Sequence, residues 1–403
     1  MNQLLKDCSV SAMVAGAVAT VISFAGPLVI IFQAAHGAGL DDRQLSSWIW
    51  AISLGSAVLG VLLSLRYRVP VVVAWSIPGS ALLVTQLPEL GLDQAVGAYL
   101  VAAVLMLIVG VSGAFDWIVA RLPGSIAAGM QAGILFSFGI SLFKSLPAQP
   151  ALVLAMFLSN VVLRRLVPRY AIAGVLVTGL LWTLASGQLH REALVLGLAT
   201  PQWISPSFSL AATFNLAVPL VLVALTGQFM PGMAVLRGAG FSTPASPLIS
   251  ASAIVGGLLA PFGCHGLNLA AVTASLCTGR EAHELPRRRY VAAVCGGVVY
   301  LLFGIAGASV VSLFAALPGE LIATLAGLAL FGAISEALTR STAEPHERDA
   351  GLFTFLVTAS GVSFLGLSSA FWGLAFGGAV HLIGHWRGMR QKRETIAREE
   401  GSR

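Results

Sequence analysis

Apolar runs of about twenty residues follow one another from Val10 to Trp386 with only short polar breaks between them, the length a bilayer's hydrocarbon core demands of a helix. Hydrocarbon offers no partner to a backbone N–H or C=O, so a chain of this pattern must fold as helices that satisfy themselves. Only 10% of its 403 residues are charged, against roughly 25% in soluble domains. The expectation is an all-α polytopic membrane protein. Candidate spans lie near residues 10–35, 45–65, 70–87, 94–115, 124–143, 150–164 and 169–187, then near 209–236, 246–260, 261–277, 288–315, 319–339, 350–365 and 368–386. The first run is too long for a signal-peptide core of roughly 7–15 residues and reads as a retained span. With fourteen single crossings and a cytoplasmic N-terminus, only Arg43, Lys144 and Arg191 of the 23 Lys and Arg residues fall outside. That asymmetry places both termini in the cytoplasm. The tail from Arg387 to Arg403 reads as a solvated basic end beside anionic lipid, and the net charge of +6 reflects topology rather than a nucleic-acid partner.

Several classes of chemistry find no support. Cys8, Cys264, Cys277 and Cys295 form no CxxC pair, so neither a metal site nor a disulfide framework is indicated. No phosphate loop, nucleotide fingerprint or nucleophile elbow stands in a credible context, and no cofactor is expected. His381 and His385 are four apart but lack an acidic or Cys companion, and read as interfacial. An intramembrane enzyme would need a nucleophile and base or a metal cluster in the spans, and neither is present in the sequence.

The two halves share a weak internal symmetry. Ser23–Leu28 in the first span and Gly227–Gly232 in the eighth each place Gly and Pro where a helix should break. In the third segment the strand-like Val71–Trp75 leads into Ser76-Ile77-Pro78-Gly79-Ser80. In the tenth, Pro261-Phe262-Gly263-Cys264-His265-Gly266-Leu267-Asn268 leads into an apolar run. Seven crossings per half is an odd number, so the halves would enter the membrane in opposite senses, as two inverted repeats of seven segments. Short extended stretches are expected before half-helices in segments 3 and 10.

Ser76 suits an N-cap, with Pro78 in the first helical turn. His265 or Gly266 is expected to start the corresponding helix over Asn268–Val272. Two such N-termini, approaching from opposite sides, would focus positive potential on one point and hold an anion. No Asp or Glu lies mid-span, so His265 is the titratable group at the expected site and is assigned the proton-coupling role, with the substrate's own carboxylate as the alternative seat for the proton; the unperturbed pKa of His is about 6.5. Gln228 and Asn268 offer uncharged donors and acceptors, and Phe24 and Phe229 could stack on a flat ring. The expected substrate contacts are Phe24, Ser76, Ile77, Gly79, Ser80, Gln228, Phe229, His265, Gly266 and Asn268.

The stretches Arg68–Leu82, Gln228–Leu236 and Pro261–Ala271 resemble the benzoate/proton symporters of the BenE type, and the resemblance covers nearly the whole chain. It implies a seven-plus-seven inverted-repeat fold shared with nucleobase/proton symporters and sulfate-type anion transporters. A transport core would comprise residues 1–115 and 188–315, a gate 116–187 and 316–386, and a tail 387–403, with homodimers through the gate. The implied activity is import of benzoate or a similar aromatic monocarboxylate with a proton across a bacterial-type inner membrane. The alternatives are another organic-anion transporter of the same fold or a nucleobase/proton symporter, the latter disfavoured because that family is acidic where this chain has Gln228 and Asn268. Phe229 and Cys264 depart from the family pattern, which has Asn and Gly there.

Overall fold

The computed structural model describes residues 2–121, 123–168 and 171–400, with side chains in the last helix described as far as Gly384. Arg169, His385 and the basic side chains after Trp386 lie outside the described residues. Apart from two short strands the regular structure is helical. Among the described residues, eight helices are long and apolar enough to cross a membrane, from Val10–Gly37 to Gly319–Ser341, and shorter apolar helices accompany them. The protein is therefore an all-helical polytopic membrane protein.

The chain forms two compact units: residues 1–119 with 138–331, and residues 120–137 with 332–403. In the second, Ser125 donates to Glu347 Oε2 at 2.9 Å. A Cβ on Gly377 would lie 1.8 Å from Thr354 Oγ1, so the helices Arg348–Ala359 and Ser369–Glu400 pack backbone to backbone there.

The first unit contains the Gly-rich breaks, and its helices meet through small residues. Helix Tyr290–Ile305 packs against both Val10–Gly37 and Asp42–Tyr67. A Cβ on Gly16 would stand 2.0 Å from Ala292 O, and Thr20 Oγ1 donates to Gly296 O at 3.0 Å across the same seam. In a matching arrangement helix Leu92–Ser112 packs on Ala245–Leu259, where a Cβ on Gly110 would meet Ser250 Oγ at 2.4 Å. At such crossings van der Waals contact and interhelical hydrogen bonds replace the hydrophobic drive that lipid cannot supply.

Between these helices lie two short strands, β1 (Val73–Ala74) and β2 (Asn268–Leu269). They pair antiparallel, Val73 with Leu269 and Ala74 with Asn268, and Ala270 N–H extends the ladder to Val72 O at 2.9 Å. The strand-like third segment is thus borne out: β1 leads into helix Ile77–Leu90, Ser76 caps it by accepting from Gly79 N–H, and Pro78 sits in its first turn.

Three local expectations are corrected. The first span does not break at Ser23–Leu28, for Val10–Gly37 runs as one helix with Pro27 inside it. The eighth segment likewise continues from Leu210 to Gly238. It widens into π turns at Thr213–Ala217 and Leu225–Phe229, just ahead of Pro219 and Pro231. A wider turn absorbs the amide that each proline lacks, and packed neighbours tolerate the irregularity at membrane depth. In the tenth segment the helix begins not near His265 or Gly266 but at Val272, with Ala271 at its N-cap position, and ends at Thr278. Asn268–Ala270 have their backbone groups committed to the strand ladder, which a helix cannot share. The far end of this short helix is held by Arg289, whose guanidinium donates to Thr278 O and His283 O, each at 2.8 Å. A cation there also complements the helix dipole.

Candidate functional site

The loop Gly263–Leu267, between the 3₁₀ turn Ala260–Phe262 and β2, carries the site. Gly263 (φ 102°) and Gly266 (φ 137°) both occupy backbone that an L side chain rarely adopts, so the loop can turn back towards β1. Residues 194–208, which follow the seventh candidate span and hold no helix or strand, brace this loop. Ile204 N–H donates to Pro261 O at 2.8 Å, and Ser47 Oγ accepts from Gln202 N–H at 2.8 Å while lying 3.1 Å from Phe262 O.

His265 is the hub. It is 4% exposed, and its two ring nitrogens reach separate helices. Nδ1 accepts from the indole Nε1–H of Trp48 at 3.0 Å, and Nε2 lies 3.0 Å from Ser80 Oγ. An indole nitrogen can only donate, so Nδ1 must be bare. The hydrogen of the neutral ring is then assigned by its bonding to Nε2, donating to Ser80. In this conformation a doubly protonated ring would set Nδ1–H against the Trp48 N–H. His265 therefore joins helix Asp42–Tyr67 to the start of helix Ile77–Leu90 through a neutral imidazole.

Beside it opens a small cavity of about 40 Å³. Its polar lining comes from Ser76, Tyr99, Ser252, His265 and Asn268, and Cys264 and Gly266 also border it. The apolar wall is built from helix faces: Ala102, Ala103 and Met106 follow Tyr99 at helical spacing, and Leu220, Val221 and Ala224 face them. Among the described residues, no Lys, Arg, Asp or Glu lines it. The positive end of the 14-residue helix that Ser76 caps meets it.

Of the sequence-derived residues, the fold brings Ser76, His265, Gly266 and Asn268 to the cavity, with Ser80 directly behind His265. Gly79 supports the Ser76 cap and is close to Leu220. Ile77, Gln228 and Phe229 do not line the cavity; Phe229 is fully buried after the π turn. Phe24 instead joins an aromatic cluster with Trp75 and Phe303, at ring-centre distances of 5.2 and 4.6 Å. Of the two departures from the family pattern, Cys264 borders the cavity and Phe229 does not.

Sequence reasoning missed Trp48, Tyr99 and Ser252. The only signal for Tyr99 was a hydroxyl inside an otherwise apolar run, a group that needs a partner when buried.

Ser76→Ala removes the cap and strands the Gly79 amide, and is expected to cost about 0.5–2 kcal/mol in equilibrium unfolding of the detergent-solubilised protein. Ser76→Thr should recover most of it, since threonine supplies the same acceptor. Equal stability of Ser76→Ala and the native protein would refute the capping role.

Comparison with known proteins agrees with this architecture. A family model described as "Benzoate membrane transport protein" matches residues 6–383. The benzoate membrane transport protein of Acinetobacter baylyi (strain ATCC 33305 / BD413 / ADP1) is 46% identical over 383 residues, 95% of this chain and 97% of that one. The inner membrane protein YdcO of Escherichia coli (strain K12) is 40% identical over 371 residues, 92% of this chain and 95% of that one. Among solved structures, SLC26A9 is similar with a TM-score of 0.62 at 14% identity, covering 92% of this chain and 65% of that chain. The transmembrane domain of the cyanobacterial bicarbonate transporter BicA gives 0.54 at 13% identity, covering 93% of this chain and 96% of that one. These two likenesses speak for the fold alone. The extent and identity of the sequence match show that this chain belongs to the BenE family of membrane transport proteins, and so to transporters rather than enzymes.

Proposed function

We propose that this protein imports benzoate or a similar aromatic monocarboxylate, together with a proton, across a bacterial-type inner membrane with both termini in the cytoplasm. The observation that carries the reading is the cavity beside His265: one side apolar, the other furnished with neutral polar atoms and a helix N-terminus, the two-faced lining that an aromatic carboxylate needs. A benzoate-like acid, with a pKa near the roughly 4.3 of a Glu side chain, is ionised at neutral pH and crosses lipid poorly. In the site its carboxylate lies towards Ser76 and Asn268, and its ring lies against Ala102, Met106 and Leu220. The benzoate relative from Acinetobacter, similar over almost the full chain, supports the substrate class.

The proton has two seats in principle, His265 and the carboxylate. With Trp48 donating to Nδ1, His265 is held neutral, so in this reading the proton travels on the carboxylate. Hydroxyls and amides, which both donate and accept, can satisfy the acid as well as the anion.

The architecture proposed with it is fourteen segments in two inverted repeats of seven, the core formed by segments one to four and eight to eleven and the gate by the rest, with homodimers through the gate. The antiparallel β1–β2 pair and the two matched glycine-mediated helix crossings support that symmetry. Uptake of labelled benzoate into proteoliposomes, with the membrane potential clamped, tests the function. Saturable accumulation that needs an inward proton gradient and collapses with a protonophore is expected. Absence of saturable uptake would reject benzoate, and accumulation indifferent to the protonophore would reject proton symport.

A further inference from the structure

Two hydroxyls in the cavity have no hydrogen-bond partner within the protein: Tyr99 Oη and Ser252 Oγ, on residues 2% and 3% exposed. A buried donor left unpaired carries its full desolvation cost, and native structures rarely keep two of them in one place without a use. They come from helices Leu92–Ser112 and Ala245–Leu259, whose close crossing at Gly110 and Ser250 leaves little freedom for either to turn away. Two of the other polar groups there are already engaged. Ser76 Oγ accepts from Gly79 N–H, and both ring nitrogens of His265 are engaged. An anion entering a cavity that no cation lines has to be met by neutral donors.

The geometry points to Tyr99 and Ser252 as the residues that read the substrate's carboxylate, donating to its oxygens in the same cavity that Ser76 and Asn268 line. This rests on the benzoate reading and makes these two hydroxyls the source of selectivity for a carboxylate over an uncharged aromatic of the same shape. Benzamide is uncharged and offers one acceptor oxygen; a hydroxyl can turn to accept from its NH₂ group, but it then loses the stronger charge-assisted bond that it makes to a carboxylate. Tyr99 also stands with its ring centre 6.2 Å from that of His265, so a carboxylate held there lies close to the Gly263–Leu267 loop.

Equilibrium binding of labelled benzoate to the purified full-length protein in detergent, with unlabelled benzamide as competitor, tests this in the native protein, Tyr99→Phe and Ser252→Ala. Each substitution is expected to weaken benzoate binding by about 10- to 100-fold, the range for one hydrogen bond to a charged group. The preference for benzoate over benzamide should fall by a similar factor. The thermal midpoint of the ligand-free variants should equal or exceed that of the native protein, because the deleted hydroxyls have no partner to lose. Unchanged benzoate affinity in both variants overturns the proposal, as does weakened binding with a lowered ligand-free midpoint and unchanged selectivity, which would mark a structural role. If the native protein itself fails to bind benzoate, the functional reading fails first and this inference falls with it.

Discussion

His265→Ala should lower saturable benzoate uptake by at least about 100-fold, while His265→Gln should keep measurable uptake with its proton coupling intact. The imidazole links Trp48 to Ser80 through this loop, and both of its bonds measure 3.0 Å in a buried setting. Alanine deletes both bonds and leaves the Trp48 indole N–H without an acceptor, a loss of about 1–3 kcal/mol for that group alone. The Gly263–Leu267 loop would then drift from β1, and a misplacement of about 1 Å is enough to cost a site about 100-fold. A glutamine can accept from Trp48 with its amide oxygen and donate to Ser80 with its amide nitrogen, yet it cannot titrate. The ratio of protons to benzoate in proteoliposomes decides between the two seats for the proton. An unchanged ratio in His265→Gln supports a proton carried on the carboxylate. Uptake that persists but no longer responds to a proton gradient would make His265 the carrier.

Gly16→Val is expected to have the largest effect on stability. The first atom it adds would stand 2.0 Å from Ala292 O and 2.9 Å from Gly296 N, both backbone of the facing helix, which no side-chain rotation relieves. Helix Tyr290–Ile305 must move away from Val10–Gly37, and the Thr20–Gly296 bond on the same seam goes with it. Overpacking of this sort costs about 1–3 kcal/mol and sometimes more. The variant should show a clearly lowered unfolding midpoint and a reduced monodisperse yield in detergent. Gly238→Ala is the matched control, since a Cβ there meets nothing within 4 Å, and it should leave the midpoint unchanged or slightly raised. Equal behaviour of the two variants would disprove close packing at Gly16.

What the sequence determined is what local chemistry and the bilayer enforce. Hydrophobic length and loop charge made the chain polytopic and all-helical. The Ser76 cap with Pro78 behind it, and the extended stretch before it, were legible because an N-cap is a contact over three residues. The Gly-flanked His265 and Asn268 were legible as a break because such residues are expensive in hydrocarbon unless they line something.

The tertiary structure decided what depends on distant partners. Pro27 and Pro231 read as helix breaks, but packed neighbours and a π turn carry the helices through them. Asn268–Ala270 read as helix, but the backbone of Val72–Ala74, nearly two hundred residues earlier, takes their hydrogen bonds and delays the helix to Val272. Tyr99 and Ser252 gave little signal for a different reason. In a soluble helix the polar face marks the outside, whereas in a membrane every face is apolar, so periodicity does not tell a cavity wall from a lipid-facing one. Only the crossing of helices Leu92–Ser112 and Ala245–Leu259 selects the face that meets the cavity, and that crossing is set by small residues fitting together across 140 positions of chain, from Gly110 to Ser250.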